Sequence, residues 1–376
     1  MDAALRLLRE LVAVNSINPT LVPGAPGEGQ IADVVAVEMG KAGLDVTVEM
    51  VAPGRPNVVG VLNGRSKGRT LMFCGHTDTV GVDGMDGPFQ PVERDGRLYG
   101  RGAQDMKGGV AAMIDAARLV AARGFDSGRL IVAAIVDEEH SSIGADALVK
   151  TWTADGAIVT EPTDLAIAIG HKGFAWIEIE VLGKAAHGSR PAEGLDAILR
   201  LGRVLTRLEA LDRALQARPP HPLMGTGSLH ASIVTGGREL SSYPDRATLQ
   251  MERRTLPSEA GPRPMDEVSQ ILRDLEGEDR TFEARATPMF SRPGYEVARD
   301  HELPKALGQA LTRAGGALQI TGASFWTDAA VLGHAGIPSI LFGPGGAGLH
   351  STVEYVNVAD ILSCRDTLVE LALTYC

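Results

Sequence analysis

The segment LIVAAIVDEE, residues 130–139, sets the expectation for the fold. It opens with an unbroken apolar run, which is typical of a strand buried on both faces, and the run leads directly into three carboxylates. The same arrangement occurs at Thr70–Cys74, followed by His76, and at Ala157–Thr160, followed by Glu161. Because ligands bind beyond the carboxyl ends of strands in open α/β sheets, these segments predict an α/β domain with a site at that edge.

The overall composition is that of an acidic globular protein. The chain has 376 residues and a formal net charge of -11, which argues against a nucleic-acid surface, because such a surface needs basic residues to displace counterions. The three cysteines are widely spaced and form neither a disulfide framework nor a zinc-finger pattern. The first residues lack the apolar core of a signal peptide, and no apolar run reaches the roughly 18 residues of a membrane span. We therefore expect a cytoplasmic protein with reduced thiols and with no membrane or nucleic-acid partner.

The pattern of the sequence changes after His171. Between residues 173 and 287 the predicted elements follow the order β-α-β-β-α-β, which is typical of a two-layer α+β unit. The predicted fold is an α/β catalytic domain of residues 1–172 and 288–376, interrupted by an inserted α+β domain of residues 173–287. Within the catalytic domain, Gly81–Gly102 is rich in Gly, Pro and charged residues and is predicted to be a loop.

Several short motifs supply the residue types that bind metals. In His76-Thr77-Asp78 the outer side chains share one face, so Asp78 can hold the second ring nitrogen of a metal-bound His76. Glu138 and Glu139 point in opposite directions, so one can bind a metal while the other stays free as a base. Each motif alone also has a structural reading as a strand-end turn or a helix cap. Nitrogen and oxygen ligands without thiolate favour zinc, with cobalt or manganese as substitutes. The candidates are His76, Asp105, Glu138, Glu139, Glu161 and His350.

Taken together, the motifs resemble those of the M20 metallopeptidase family, in its deacetylase, desuccinylase, carboxypeptidase and aminoacylase group. They stand in the family's order and span nearly the whole chain. The resemblance implies a mixed-sheet catalytic domain of the zinc-hydrolase kind, with an inserted lid and dimerisation domain. The motifs are Ser16-Ile17-Asn18-Pro19-Thr20, His76-x-Asp78, Gly102-x-x-Asp105-Met106-Lys107-Gly108-Gly109, Asp137-Glu138-Glu139, Glu161-Pro162 and His350.

The resemblance also implies a role for each candidate residue. Two divalent cations would share Asp105 as a bridging ligand, and the peptide bond between Asp105 and Met106 would be cis. Glu138 would be the general base that takes a proton from water and returns it to the leaving amine. Asp78 would orient a ligand. One ion would be held by Asp105, His76 and Glu161, and the other by Asp105, Glu139 and His350.

In the inserted domain, the resemblance implies residues that act on the substrate. His187 matches a histidine that stabilises the oxyanion, often across a dimer, and Arg254 matches an arginine that holds the substrate carboxylate. Ser241 stands where the family often has Asn, and Val353 stands where it has Asp or Asn. Gly345 lies in the glycine-rich segment that lines the family's substrate pocket.

The expected activity is hydrolysis of the amide bond of an N-acyl amino acid, by a homodimer that pairs through the inserted domain. A short peptide with a free carboxylate is the alternative substrate, and the protein would then be a dipeptidase or a carboxypeptidase. A protein that binds metal without catalysis is the alternative from another class, although the intact Glu138 argues against it. A two-metal phosphoesterase would need more basic residues around the site.

Overall fold

The structure is a computed structural model that describes residues 1–259 and 261–376. The chain forms two compact units. The second unit extends past residue 287, because its last long strand runs to Arg292. The first unit comprises Met1–Gly170, Val297–Gly322 and Thr327–Cys376, and the second comprises His171–Glu296 and Ala323–Trp326.

The described residues form nine α-helices and seventeen β-strands. In the described residues, no helix is both long and apolar enough to cross a membrane. The α-helices are α1 (Ala3–Ala13), α2 (Gly29–Lys41), α3 (Gly108–Arg123), α4 (Ile143–Thr151), α5 (Ala197–Gln216), α6 (Arg263–Glu278), α7 (Glu302–Arg313), α8 (Ala329–His334) and α9 (Val358–Tyr375). The strands are β1 (Asp45–Ala52), β2 (Arg55–Asn63), β3 (Ser66–His76), β4 (Val92–Arg94), β5 (Arg97–Tyr99), β6 (Ser127–Ile135), β7 (Gly156–Val159), β8 (Ile167–His171), β9 (Gly173–Leu182), β10 (Ser228–Gly236), β11 (Arg246–Thr255), β12 (Glu283–Arg292), β13 (Tyr295–Glu296), β14 (Ile320–Ala323), β15 (Ser339–Leu341), β16 (Gly346–Ala347) and β17 (Tyr355–Asn357).

The first unit is built on a mixed β-sheet. Its strands follow the order β1-β2-β6-β3-β7-β15-β8. The neighbours β6, β3, β7 and β15 run parallel to one another, whereas β1, β2 and β8 each pair antiparallel. β7 is buried along its whole length, as its unbroken apolar sequence predicts. The predicted α/β class with a mixed sheet is therefore confirmed.

The register of the parallel strands brings the predicted motifs to one edge of this sheet. His76 is level with Ile135 on β6, and Cys74 is level with Val159 on β7. Parallel strands end at the same edge, so the residues that follow β3, β6 and β7 leave the sheet side by side. These are the segments that carry His76, the acidic run after β6, and Glu161.

The second unit is a two-layer α+β fold. Its antiparallel sheet has the order β10-β11-β9-β12, and its elements follow the predicted β-α-β-β-α-β order. On β9, Ile177 and Ile179 are fully buried, while Trp176 and Glu178, at the alternate positions, are half-buried. The buried side chains of the sheet form one core with Leu201 of α5 and with residues of α6.

The segment Gly81–Gly102 is not wholly a loop, and this prediction was wrong. It contains β4 and β5, which join β16 and β17 in a small sheet of order β16-β17-β5-β4. Tyr99 pairs with Tyr355, and their ring centroids are 5.2 Å apart. β4 pairs with β5, and β5 gains its other partner, β17, from a segment about 250 residues away in sequence, so local composition alone predicted a loop.

Candidate metal centre

The strand ends gather carboxylates around the buried His76. Its Nε2 lies 3.1 Å from Asp105 Oδ1, 3.9 Å from Glu138 Oε2 and 3.9 Å from Glu161 Oε1. The donor atoms of His76, Glu138 and Glu161 all lie within 4.8 Å of one another, and so do those of His76, Asp105 and Glu139. One ring nitrogen therefore faces several carboxylates at distances that a shared cation can span.

His350 approaches the same cluster from the other side of Asp105. Its Nε2 lies 3.0 Å from Glu139 Oε2 and 3.4 Å from Asp105 Oδ2. Asp105 thus presents Oδ1 to His76 and Oδ2 to His350. The two oxygens of this carboxylate therefore face two different histidines.

Asp105 stands in an irregular turn before α3. The peptide bond between Asp105 and Met106 is cis, as the family resemblance implied. Helix α3 begins at Gly108, and the residues before it, Ala103–Lys107, form a π-helical turn with non-helical dihedral angles at Asp105 and Met106. Asp105 therefore lies in a segment whose backbone does not have regular helical geometry.

The carboxylate of Glu354 holds this turn. Glu354 is buried, and each of its oxygens accepts two hydrogen bonds. The donors are Arg101 Nη1 at 2.7 Å and the Gly102 N–H at 3.0 Å to Oε2, and the N–H groups of Gln104 at 2.9 Å and Asp105 at 3.1 Å to Oε1. The side chain of Glu354, four residues after His350 in sequence, therefore holds the backbone of Asp105 in place.

Asp78 contacts both His76 and the acidic pair after β6. The Nδ1 atom of His76 lies 3.1 Å from the carbonyl oxygen of Asp78 and 3.6 Å from its Oδ1, so the carbonyl is the closer partner. The Asp78 carboxylate also accepts the N–H groups of Glu138 and Glu139, each at 3.2 Å. It therefore orients the acidic pair after β6 as well as His76.

The electrostatics of the cluster show an excess of negative charge. Burial and the nearby charge of Glu161 raise the pKa of Glu138 well above its ordinary value, and burial does the same for the pKa of Glu161. Burial and the charge of Asp105 raise the pKa of Glu139 to about 7. Hydrogen bonds to Asp105 and Glu139 raise the pKa of His350 to about 10. The shifts of the glutamates follow from burial and from the closeness of the carboxylates to one another.

The donor atoms fit divalent cations. Oε1 of Glu161 is buried and has no hydrogen-bond partner among the described residues. A buried carboxylate oxygen without a donor is costly unless a cation or a proton satisfies it. The gathered ligands are imidazole nitrogens and carboxylate oxygens, which suit zinc and related divalent ions.

The predicted substrate residues of the inserted domain lie in the second unit. His187 is exposed, and its Nδ1 lies 2.8 Å from Ser189 Oγ. The N–H of Gly188 donates to the carbonyl of Ser241 at 2.7 Å, so the segments of His187 and Ser241 are adjacent. Arg254 is paired through Nε with Glu252 at 2.5 Å. The roles given to His187, Ser241 and Arg254 stay predictions.

Gly345, in the first unit, has a clear packing reason to be glycine. A Cβ there would lie 2.4 Å from Asp164 Oδ1 and 2.7 Å from Asp360 Oδ2. Its N–H donates to Asp360 Oδ2 at 3.3 Å. Its predicted contact with a substrate stays a prediction.

Sequence comparison identifies the family. A sequence profile described as peptidase family M20/M25/M40 matches residues 72–374, which is most of the chain. The chain belongs to this family. The acetylornithine deacetylase of Myxococcus xanthus is 33% identical to this M20 chain over 342 residues, covering 85% of this chain and 84% of that enzyme. The acetylornithine deacetylase of Photorhabdus laumondii is 28% identical over 391 residues, covering 99% and 97%. The protein is therefore a metal-dependent amidohydrolase of the M20 family.

Solved structures show the same M20 fold. A tripeptidase from Staphylococcus aureus has a TM-score of 0.84 at 21% identity, covering 99% of this chain and 98% of that one. A metallo-carboxypeptidase from Sulfolobus solfataricus has a TM-score of 0.82 at 18% identity, covering 100% and 99%. A dinuclear metal-binding peptidase from Bacillus subtilis has a TM-score of 0.71 at 16% identity, covering 98% and 96%.

One residue of this M20 site escaped the sequence reasoning. No role was predicted for Glu354, which follows the off-pattern Val353. The feature of the sequence that pointed to Glu354 was its position four residues after His350. The groups that it binds lie about 250 residues earlier in the chain. A local motif could not show which backbone this carboxylate holds.

Proposed function

We propose that this M20 protein hydrolyses the amide bond of N-acyl amino acids with two divalent cations as its cofactor. The observation that carries the proposal is the placement of Asp105. Its Oδ1 lies 3.1 Å from His76 Nε2, and its Oδ2 lies 3.4 Å from His350 Nε2. A carboxylate between two histidines suits a pair of ions that share it.

Each ion would be held by residues already gathered at this edge. His76 and Glu161 would complete the ligands of one ion with Asp105, and Glu139 and His350 would complete those of the other. Zinc suits this donor set best, with cobalt or manganese as substitutes. When bound, such ions supply Lewis-acid chemistry, because they polarise the amide carbonyl and make water easier to deprotonate.

Glu138 would transfer the proton. Its side chain is 11% exposed and its Oε2 lies 3.9 Å from His76 Nε2, so it stands beside the cluster with access to solvent. Its backbone N–H is held by Asp78. In this position the carboxylate takes a proton from the attacking water and delivers it to the leaving amine.

The substrate assignment rests on the named relatives. Two relatives, from Myxococcus xanthus and Photorhabdus laumondii, are acetylornithine deacetylases, which supports a substrate with a small acyl group on an amino acid. Arg254 would hold the carboxylate of that substrate, and His187 would stabilise the oxyanion. Ser241 and Gly345 would line the pocket.

Short peptides are the second candidate substrate. The structural neighbours from Staphylococcus aureus and Sulfolobus solfataricus are a tripeptidase and a metallo-carboxypeptidase. A peptide presents the same amide bond and the same free carboxylate, so the proposed residues would serve it in the same roles.

The test is a hydrolysis panel of N-acetyl, N-succinyl and longer N-acyl amino acids beside dipeptides and tripeptides, run with zinc, cobalt and manganese. Glu138→Gln should keep two bound ions per chain and lower turnover by about 10²- to 10⁴-fold. Glu302→Gln, which removes a carboxylate in an exposed ion pair with Arg69, is the matched control and should keep full turnover.

The outcomes separate the candidates. Hydrolysis of peptides alone would favour the second candidate, and persistent turnover in Glu138→Gln would remove this residue as the base. Metal binding without hydrolysis of any compound would count against both substrates.

We also propose that the protein is a cytoplasmic homodimer that pairs through the second unit. β10 is the outer strand of its sheet, and the side chains of Ile233 and Val234 on it are 56% and 52% exposed. An exposed strand edge with apolar side chains is a surface that a second copy can cover. Light scattering should give a mass of two chains for the wild type and one chain for Ile233→Lys.

A further inference from the structure

Asn18 is a buried residue for which the proposed reaction has no role. It belongs to the motif Ser16-Ile17-Asn18-Pro19-Thr20, near the start of the chain. Its N–H donates to the carbonyl of Thr79 at 2.9 Å, and the Thr79 N–H donates to the carbonyl of Ser16 at 3.0 Å. These backbone bonds hold Asn18 beside the end of β3, next to Asp78.

The side-chain amide of Asn18 joins two buried carboxylates. Its Nδ2 donates to Asp78 Oδ2 at 2.8 Å and to Asp137 Oδ1 at 3.0 Å. Its Oδ1 accepts the Thr20 N–H at 2.9 Å. The orientation of the amide is therefore determined, because the opposite orientation would place its oxygen against both carboxylates.

Arg55 anchors the far side of this arrangement. Its Nη1 lies 2.8 Å from Asp137 Oδ1, while its Nε and Nη2 bind both oxygens of Glu28 at 2.7 Å and 2.5 Å. Arg55 and Glu28 are buried. Asp137 Oδ2 also accepts the Ser141 hydroxyl at 2.6 Å. Asp137 is therefore a fixed acceptor, held by Arg55 and Ser141.

Asp78 forms the link from this arrangement to the metal centre. Its carboxylate accepts the Asn18 amide and the N–H groups of Glu138 and Glu139. Its carbonyl oxygen faces His76 Nδ1 at 3.1 Å. A shift of the Asp78 carboxylate would therefore move the backbone of both acidic residues.

We propose that Asn18 is a positioning residue of the M20 site, whose amide clamps Asp78 to the anchored Asp137 and thereby sets the backbone of Glu138 and Glu139. It touches no reacting atom and acts only through Asp78. The inference rests on the proposed metal centre. Asparagine suits this task because one NH₂ group offers two donors in a plane, whereas aspartate would add a third carboxylate and serine would offer a single donor.

The test replaces the amide with an isosteric carboxyl group, Asn18→Asp. The matched control is Asn15→Asp in the same segment, where the side-chain oxygen accepts the Ile17 N–H at 3.1 Å and the change keeps that acceptor. Zinc affinity is measured by chelator competition on the metal-free folded protein. kcat and KM are measured with the best substrate of the hydrolysis panel.

Asn18→Asp should bind zinc about 10- to 100-fold more weakly than the wild type and should lose kcat with little change in KM, as outer-shell changes at metal sites do. The deficit relative to wild type should shrink between pH 8 and pH 6, because the introduced carboxyl regains a donor when it is protonated. Asn15→Asp should match the wild type in every measurement. A purely structural role would lower stability but leave the zinc affinity and kcat of the folded variant unchanged.

Wild-type zinc affinity and kcat in Asn18→Asp would overturn the inference. If that variant does not fold, Asn18→Ser replaces it, and unchanged zinc affinity in Asn18→Ser would overturn the inference equally. If the wild type binds no zinc, the proposed function itself fails, and this result is recognisable without any comparison between variants.

Discussion

Replacing Glu354 with glutamine tests how the turn that carries Asp105 is held. The change keeps the shape of the side chain but removes its charge and turns one acceptor oxygen into an NH₂ group. In the wild type, each oxygen of Glu354 accepts hydrogen bonds from two donors. Whichever way the new amide points, two donors lose their acceptor, and Arg101 loses its charged partner.

The expected magnitude follows from burial. The side chains of Glu354 and Arg101 are 0% and 4% exposed, so water cannot replace the lost partner. Removing one partner of a buried ion pair costs about 3–5 kcal/mol, and a hydrogen bond to a charged group contributes about 1.5–3 kcal/mol. Because the two contributions overlap here, we expect Glu354→Gln to lower the free energy of unfolding by about 3–5 kcal/mol.

The assay is urea unfolding of the metal-free protein, followed by zinc titration of the folded fraction. Glu370→Gln is the control, since Glu370 is 31% exposed and forms longer ion pairs with Arg123 and Arg313 at 3.5 Å and 3.4 Å. We expect the control to lose less than about 1 kcal/mol. If Glu354→Gln behaved like the control and bound zinc like the wild type, the reasoning about this turn would be refuted.

Three further predictions concern the metal and the substrate. His76→Ala should lower the zinc content of the purified protein, and an unchanged metal-to-protein ratio would remove His76 as a ligand. In the metal-free protein the pKa of Glu139 is raised to about 7 and that of His350 to about 10, so the folded state holds more protons than the unfolded state above about pH 5. The melting temperature of the metal-free protein should therefore fall as the pH rises from about 5 to 8, and zinc should remove most of that fall; a flat profile without metal would contradict the charge excess. His187→Ala should lower turnover with little effect on metal content, whereas a parallel loss of metal would show that its effect is not on the oxyanion.

The parts of the fold that the sequence predicted well are those with strong local signals. The apolar runs before His76 and Glu161 required strands buried on both faces, and the structure has β3 and β7 there. The order of the elements in the second unit was also predicted, because the alternation of apolar and polar residues on β9 and the amphipathic pattern of the long helix α5 are local in sequence. The convergence of the motifs then followed from the rule that parallel strands end together.

The parts that could not be predicted depend on partners far away in sequence. β5 pairs with β17, and neither segment alone has enough apolar residues to require a strand. The carboxylate of Asp78 was predicted to support His76 because the two are neighbours in sequence, but no local pattern showed that it also accepts the backbone N–H groups that follow β6. Glu354 carries no local sign that it binds the turn before α3.

The hydrogen bond from Asp105 to Glu354 spans 249 residues, which affects how a newly made chain acquires its metal. A ribosome adds roughly 5–20 residues per second, so Asp105 would be synthesised roughly 12–50 s before the carboxylate that holds it. During this interval the nascent polypeptide carries His76 and Glu161 without His350, so an ion captured early would meet an incomplete set of ligands. Chains would therefore bind the metal ion tightly after translation has passed residue 354. Stalled nascent chains that end before His350 should retain less zinc than released full-length protein.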